Sequence, residues 1–330
     1  EAQAIIYDES LKEISSLYII ACGSAWHAAM AAQYIFEELA ELPVRVELAS
    51  EFRYRRFLPP PRTLAVVISQ SGETADTLAA LRMAKEEGVR TLAIVNVAGS
   101  AIAREADNVL YTLAGPEIAV ATTKAFTSQL AVIYCLAVRC AYAKGRLSQE
   151  RYVYLVRELK TLPEKTERLL EEKTRIQWLA SKYAGIKDAF FIGRGADYAT
   201  GMEGSLKLKE VSYVHSEAYA AGEMKHGTIS LVEKNTPVIG ILTQKRLLEK
   251  TLSNMTECRA RGAYLIGVIA EDEERAAAQF DFAILLPKAE ELFSGILAVV
   301  PLQLFGYYIS IAKGLDPDKP RNLAKSVTVE

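Results

Sequence analysis

The chain has 330 residues, half of them hydrophobic and about a quarter charged, which is the balance of a folded globular enzyme and predicts about two domains. Lys and Arg number 39 against 41 Asp and Glu, so the formal net charge is -2, and no basic stripe is present. We therefore expect no nucleic acid and no membrane surface as a partner.

Cysteine usage and the first residues indicate the compartment. The four cysteines have neither the spacing of metal ligands nor the density of a secreted disulfide scaffold. No apolar run reaches the roughly 18 residues of a membrane span, and the beginning lacks the layout of a signal peptide. We expect a cytoplasmic protein without a metal site or a cofactor. Because the sequence begins with Glu1, we also expect it to be a piece of a longer chain.

Short apolar segments rich in β-branched residues alternate with longer helical patterns, which predicts a parallel α/β architecture. In the first half, strands are predicted at 17–21, 64–69, 91–95 and 108–113, with helices at 28–42 and 74–87. In the second half, strands are predicted at 188–193, 238–243, 264–270 and 282–287.

The second half repeats single residues of the first. Gly23 and Gly195 end similar tetrapeptides 172 positions apart, and Asp107 and Asp281 lie 174 positions apart. The pairs Met30 and Met202, and Gly88 and Gly262, follow the same offsets. We expect two similar lobes, at 1–147 and 179–313, a helical connector at 148–178 and a tail at 314–330.

A polar loop follows the strand predicted at 64–69. Its sequence, SQSGET, supplies the side chains of Ser69, Gln70, Ser71 and Thr74 at a strand end, just before a helix. Free N–H groups at a helix N-terminus bind phosphate well, and ligands bind at the carboxyl ends of parallel strands. A plain helix cap is the alternative, but four clustered polar side chains favour a site for one phosphate monoester.

Two other loops are poorer candidates for phosphate or nucleotide. The equivalent loop of the second half, Thr243-Gln244-Lys245, lacks the hydroxyl cluster, so we expect only the first lobe to hold phosphate strongly. The turn from Gly193 to Gly195 would need a third glycine at Tyr198 to match a dinucleotide fingerprint, so NAD is not expected.

Glu203, Lys207 and Glu210 are spaced so that a helix presents them as one stripe. Spacing alone favours a solvated face with a helical ion pair. The stripe follows a glycine turn at a strand end, however, and small neighbours such as Gly204 suit the close approach of a ligand. Both interpretations remain open on these residues alone.

Four segments together resemble one known family. They are SQSGET from Ser69, LKLKEVSY from Leu206, EAYAAGEMKHG from Glu217 and PRNLAKSVTVE from Pro320. Nearly the whole chain resembles the isomerase part of the glucosamine-6-phosphate synthases, the glutamine:fructose-6-phosphate amidotransferases. The resemblance implies two flavodoxin-like lobes, each a sugar isomerase (SIS) domain in which helices flank a parallel sheet. It also implies a homodimer that isomerises and aminates fructose 6-phosphate to glucosamine 6-phosphate, with glucose 6-phosphate as the product of isomerisation alone.

The resemblance also implies which residues bind the substrate. Phosphate would be held by Ser69, Gln70, Ser71 and Thr74, and the sugar hydroxyls would be met by Cys22, Gly23, Ser24 and Thr122. Two positions depart from the commoner pattern, because Ala25 and Thr122 stand where the family often has Ser. The loss of a hydroxyl at Ala25 removes one expected contact, whereas Thr122 keeps its donor and acceptor.

The family's catalytic roles transfer to five residues of this chain. Glu210 would carry the proton between C1 and C2, Lys207 would steady the enolate-like oxygen, and Glu203 would support them. His226 would open the sugar ring across the dimer interface, and Lys325 would form a Schiff base with the open-chain ketose. An N-terminal glutaminase domain supplies ammonia in the family, and because this chain starts at Glu1 we expect isomerisation without use of glutamine.

Two other functions fit some of these features. Another SIS-type isomerase or deglycase would share the lobes but not the tail that contains Lys325. A sugar-phosphate sensor without turnover could dispense with Glu210, His226 and Lys325, all of which are present. These comparisons favour the isomerase.

Overall fold

The computed structural model describes residues 8–325 of the chain. Within them the chain folds into two compact units. The first comprises residues 8–118, 122–159 and 324–325, and the second comprises residues 119–121 and 160–323. The boundaries of the four segments predicted from the sequence stay predictions.

The first unit is built on a sheet of five parallel strands. In chain order they are β1 (Ser16–Ala21), β2 (Val44–Leu48), β3 (Thr63–Ser69), β4 (Arg90–Val95) and β5 (Asn108–Tyr111), and their spatial order is β2-β1-β3-β4-β5. Its helices are α1 (Asp8–Glu13), α2 (Gly23–Ala40), α3 (Ala49–Phe52), α4 (Ala75–Glu86), α5 (Ala101–Glu105) and α6 (Lys124–Ala143). Helix α7 (Gln149–Glu171) begins in this unit and continues into the second.

The second unit repeats the arrangement. Its strands are β6 (Asp188–Gly193), β7 (His215–Ala220), β8 (Pro237–Leu242), β9 (Tyr264–Ala270) and β10 (Phe282–Leu286), in the order β10-β9-β8-β6-β7. Its helices are α8 (Lys173–Lys182), α9 (Ala196–Ser212), α10 (Leu248–Arg259), α11 (Glu274–Ala277) and α12 (Ser294–Ala312), with 3-10 turns at Ala221–His226, Thr228–Leu231, Lys245–Leu247 and Glu291–Phe293.

Both sheets have the flavodoxin-like strand order 2-1-3-4-5 when the strands of each unit are counted separately. The eight strands predicted from apolar runs are confirmed, and all seven residues of β3 are buried, as expected for a central strand covered on both faces. Strands β2 and β7 were not predicted. Both lie at sheet edges and are partly exposed, so their sequences, VRVEL and HSEAYA, carry polar residues that break the apolar run.

The repeated aspartates have the same structural role in both units. The Asp107 carboxylate accepts a hydrogen bond from the Thr91 backbone N–H at 2.8 Å, and the Asp281 carboxylate accepts one from the Leu265 N–H at 2.7 Å. Each bond ties the turn before the last strand to the strand beside it. The aspartates repeated in the sequence therefore make the same side-chain-to-backbone hydrogen bond in both units.

Two helices are long and apolar enough to cross a membrane by length and composition, Lys124–Ala143 and Glu291–Ala312. In their most apolar windows 61% and 67% of the residues are buried inside the protein. The core helices of soluble proteins have the same property, so these two helices do not indicate a membrane span.

Candidate functional site

The SQSGET loop joins β3 to α4 and gathers its hydroxyls. Ser69 Oγ lies 2.9 Å from Thr74 Oγ1 and accepts a hydrogen bond from the Gly72 N–H at 3.0 Å, while Ser71 Oγ accepts one from the Glu73 N–H at 3.2 Å. Thr74 precedes α4 but makes no side-chain cap to that helix. The hydroxyl of Thr74 is thus directed to the loop, and the first N–H groups of α4 are left for another acceptor.

Gly72 is required by the geometry of this loop. Its φ of +68° is in the left-handed region, and a Cβ built there would lie 2.0 Å from Ser100 Oγ. Its carbonyl also accepts a hydrogen bond from the Ile102 N–H at 3.0 Å. The loop is therefore packed directly against the first turn of α5.

The loop after β1 lies at the same edge of the sheet, because β1 and β3 are parallel neighbours. Cys22 precedes α2, and Gly23 begins that helix with a φ of +55°. Burial raises the pKa of the Cys22 thiol, and a hydrogen bond from Thr77, with Oγ1 3.9 Å from Sγ, offsets this only in part. A protonated thiol is a poor nucleophile, so this environment does not favour covalent chemistry at Cys22. Ser24 follows in the first turn of α2.

A third loop, between β5 and α6, carries Thr122 and Glu117, and Lys325 contacts this loop. Thr122 is partly exposed just before α6. Lys325 Nζ lies 3.6 Å from Glu117 Oε2, and the Glu117 side chain is only 3% exposed. Sequence reasoning missed Glu117, because its importance depends on contacts with α6 and with a lysine near the other end of the chain.

In the second unit the stripe on α9 is buried, so its interpretation as a solvated face was wrong. The side chains of Glu203, Lys207 and Glu210 are 0%, 3% and 21% exposed. Lys207 Nζ lies 3.3 Å from Glu203 Oε1 and 2.5 Å from Glu210 Oε2. Burial alone would lower the pKa of Lys207, but the two negative charges outweigh burial and raise it, which favours the ammonium form.

The small residues of α9 serve packing rather than the approach of a ligand. A Cβ on Gly204 would lie 2.6 Å from Leu302 Cδ1 of α12. Ser205 is buried, and its Oγ is 3.1 Å from Ser216 Oγ of β7. Gly204 and Ser205 thus let α9 lie close to its neighbours inside the unit, which holds the charged stripe in place.

The N-terminal turn of α9 carries a second buried carboxylate, Asp197, which sequence reasoning missed. Its Oδ2 accepts hydrogen bonds from the backbone N–H groups of Thr243 at 2.8 Å and Gln244 at 3.2 Å, and its Oδ1 accepts one from Thr243 Oγ1 at 2.5 Å. Burial raises the pKa of Asp197 to about 6, although these hydrogen bonds oppose the rise.

His226 ends the 3-10 turn after β7 and is exposed at the surface of the second unit. Glu203 and Lys207, by contrast, lie in the interior of the same unit. The catalytic role expected for His226 therefore stays a prediction.

The fold and these side chains define the class of protein. A family model described as the SIS domain matches residues 10–139 and 182–313, and the chain belongs to this family. It is 53% identical over 325 residues to the glutamine–fructose-6-phosphate aminotransferase [isomerizing] of Clostridium tetani, an alignment that covers 98% of this chain and 54% of that protein. The chain spans about half the length of the curated relatives it matches.

Solved structures show the same likeness. The C-terminal domain of glucosamine-fructose-6-phosphate aminotransferase from Francisella tularensis is 38% identical with a TM-score of 0.92, covering 94% of this chain and 88% of that one. Glucosamine-6-phosphate deaminase from Thermotoga maritima is 26% identical with a TM-score of 0.77, covering 98% and 93%. The resemblance read from four short motifs is confirmed over nearly the whole chain.

Proposed function

We propose that this chain isomerises fructose 6-phosphate to glucose 6-phosphate, the ketose-to-aldose half-reaction of glucosamine 6-phosphate synthesis. The observation that carries the proposal is the buried Lys207 held between Glu203 and Glu210 on α9. Burying three ionisable groups is costly, and such groups concentrate where proton transfer is needed. The curated relatives, named isomerising aminotransferases, support the same reaction.

Phosphate binding is assigned to the first unit. Ser69, Ser71 and Thr74 supply hydroxyls, Gln70 supplies an amide, and the N-terminus of α4 supplies free N–H groups and a partial positive charge. The loop of Cys22, Gly23 and Ser24, together with Thr122, is assigned to the sugar hydroxyls. These groups bind one phosphate monoester without a metal or a cofactor.

Proton transfer is assigned to the second unit. Glu210 is the most exposed of the three groups, so we assign it as the base that takes a proton from C1 and returns it to C2. The Lys207 ammonium would stabilise the oxygen that becomes negative between these steps. Glu203, with no exposed surface, would hold Lys207 in position.

Ring opening is assigned to His226, and imine formation with the open-chain ketose to Lys325. We further propose that the chain works as a homodimer, that a glutaminase domain precedes it in a full-length enzyme, and that it is cytoplasmic. Four free cysteines and two apolar helices buried in the core support this location.

A coupled assay of glucose 6-phosphate formation tests the proposal with two variants. Glu210→Gln is expected to lower turnover by about 10²–10⁴-fold, the usual contribution of a general base. Glu172→Gln is the matched control, because Glu172 forms an i,i+3 ion pair with Arg175 at 2.8 Å on an exposed helix end. Saturable binding of glucose 6-phosphate without any turnover in the unmodified chain would instead favour a sugar-phosphate sensor.

A further inference from the structure

Glu117 lies in the segment between β5 and α6, and one of its oxygens is committed to the start of that helix. Oε1 accepts hydrogen bonds from the Thr123 N–H at 2.8 Å, the Thr123 hydroxyl at 3.2 Å and the Ala125 N–H at 3.4 Å. These donors fix both the position of the carboxylate and the direction of its second oxygen. The partial positive charge of the helix N-terminus also stabilises a carboxylate at this place.

The second oxygen of Glu117 has a different environment. Oε2 is fully buried and accepts no hydrogen bond from any residue between 8 and 325, yet Lys325 Nζ lies 3.6 Å from it. The Lys325 side chain is 31% exposed. A buried carboxylate oxygen without a hydrogen bond is costly, which indicates that the site is built to face a cation.

We propose that Glu117 is the positioning residue that holds the Lys325 amine at the carboxyl end of the first sheet for imine formation. This inference rests on the proposed function. In that step Nζ in its neutral amine form bonds to C2 of the open-chain ketose, its two protons pass to the carbonyl oxygen, which leaves as water, and a C=N bond remains. A reacting amine on a chain segment without regular structure gains most from being held in place before it attacks.

A helix cap alone is the competing explanation, and Glu117→Gln separates the two. The side-chain oxygen of glutamine can still accept the bonds from Thr123 and Ala125, so the cap is kept while the charge facing Lys325 is lost. Asp107→Asn is the matched control. The Asp107 carboxylate also accepts a bond from a backbone N–H with one oxygen and faces a lysine, Lys85, with the other at 3.2 Å, but it lies at the opposite end of the strands.

The experiment measures the imine directly. Each protein is incubated with fructose 6-phosphate and borohydride, which reduces the C=N bond to a stable amine, and the modified Lys325 peptide is quantified by mass spectrometry over time. Binding of glucose 6-phosphate and the isomerase rate of the unmodified chain are measured on the same preparations. Lys325→Arg keeps a cation at this position and is the blank for trapping.

We expect Glu117→Gln to trap the imine about 10²-fold more slowly, the scale of loss for a displaced reacting group, and to bind glucose 6-phosphate as the unmodified chain does. Trapping at the unmodified rate, or an equal loss in Asp107→Asn, would overturn the role of Glu117. Isomerisation without any trapped Lys325 would overturn it as well, together with the imine assigned to Lys325, while leaving the proposed isomerisation intact. An unmodified chain that neither isomerises nor traps would refute both.

Discussion

Replacing Asp197 with asparagine is expected to change how the stability of the second unit depends on pH. The pKa of Asp197 is about 6 in the folded protein because of burial, against an ordinary value of 3.8. The folded state therefore binds a proton more tightly than the unfolded state does. The stabilisation from that proton is fully present below pH 3.8 and is lost as the pH rises through 6.

The size of the effect follows from the two pKa values. The rise from 3.8 to about 6 corresponds to about 3 kcal/mol over the whole titration, at about 1.4 kcal/mol per pKa unit. About 1.4 kcal/mol of it falls between pH 5 and pH 7.5. The negative charge of Glu291 contributes to the raised pKa of Asp197, and burial raises the pKa of Glu291 itself. The variant Glu291→Gln is therefore measured in the same way.

The measurement is urea unfolding at several pH values, followed by tryptophan fluorescence. The chain has two tryptophans, and a Trp26→Phe background leaves Trp178 on α8 to report on the second unit. We compare the free energy of unfolding with and without Asp197→Asn, because the other titrating groups cancel in the difference. From pH 5 to pH 7.5, the free energy of unfolding of the protein with Asp197 should fall by about 1.4 kcal/mol relative to that of Asp197→Asn. A difference that is flat, or that moves the other way, would refute the burial argument.

Two further substitutions test the loop and the stripe. Gly72→Ala should destabilise the first unit by about 1–3 kcal/mol, because its Cβ would meet Ser100 Oγ, and should weaken the binding of glucose 6-phosphate measured by calorimetry. Gly88→Ala is the control: with a φ of +71° and open space around it, it shows the free-energy cost of the backbone conformation alone. Lys207→Met should destabilise the second unit by about 3–5 kcal/mol by leaving Glu203 buried without its cation. Adding Glu203→Gln should restore part of that loss in urea unfolding, and no recovery would contradict the pairing.

The fold was predictable wherever one physical requirement dominates a segment. Central strands such as β3 must be apolar on both faces, and a run of seven buried residues is visible in the sequence. The edge strands β2 and β7 carry polar residues within VRVEL and HSEAYA that break the apolar run, whereas the edge strands β5 and β10 keep theirs in NVLY and FAILL. The internal repeat was visible because Asp107 and Asp281 make the same backbone contact in both sheets.

The candidate site was predictable in part. Spacing placed Glu203, Lys207 and Glu210 on one helix face, but it could not show that this face is buried, since burial of α9 depends on its packing against α12. The Ser69–Thr74 loop was found because its polar residues are contiguous. Glu117 and Asp197 escaped detection because each is a single carboxylate whose partners lie on other elements.

The two units differ at the loop that follows the third strand of each sheet. In the first unit this loop carries hydroxyls, and Thr74 leaves the N-terminus of α4 uncapped by a side chain. In the second unit the backbone N–H groups of Thr243 and Gln244 are bonded to the Asp197 carboxylate. A carboxylate tethered in the chain takes the place that an anion would need and repels a second negative charge. The same strand order therefore leaves the loop of the first unit open to the phosphate proposed above. In the second unit it anchors the start of α9, the helix whose side chains are assigned to proton transfer.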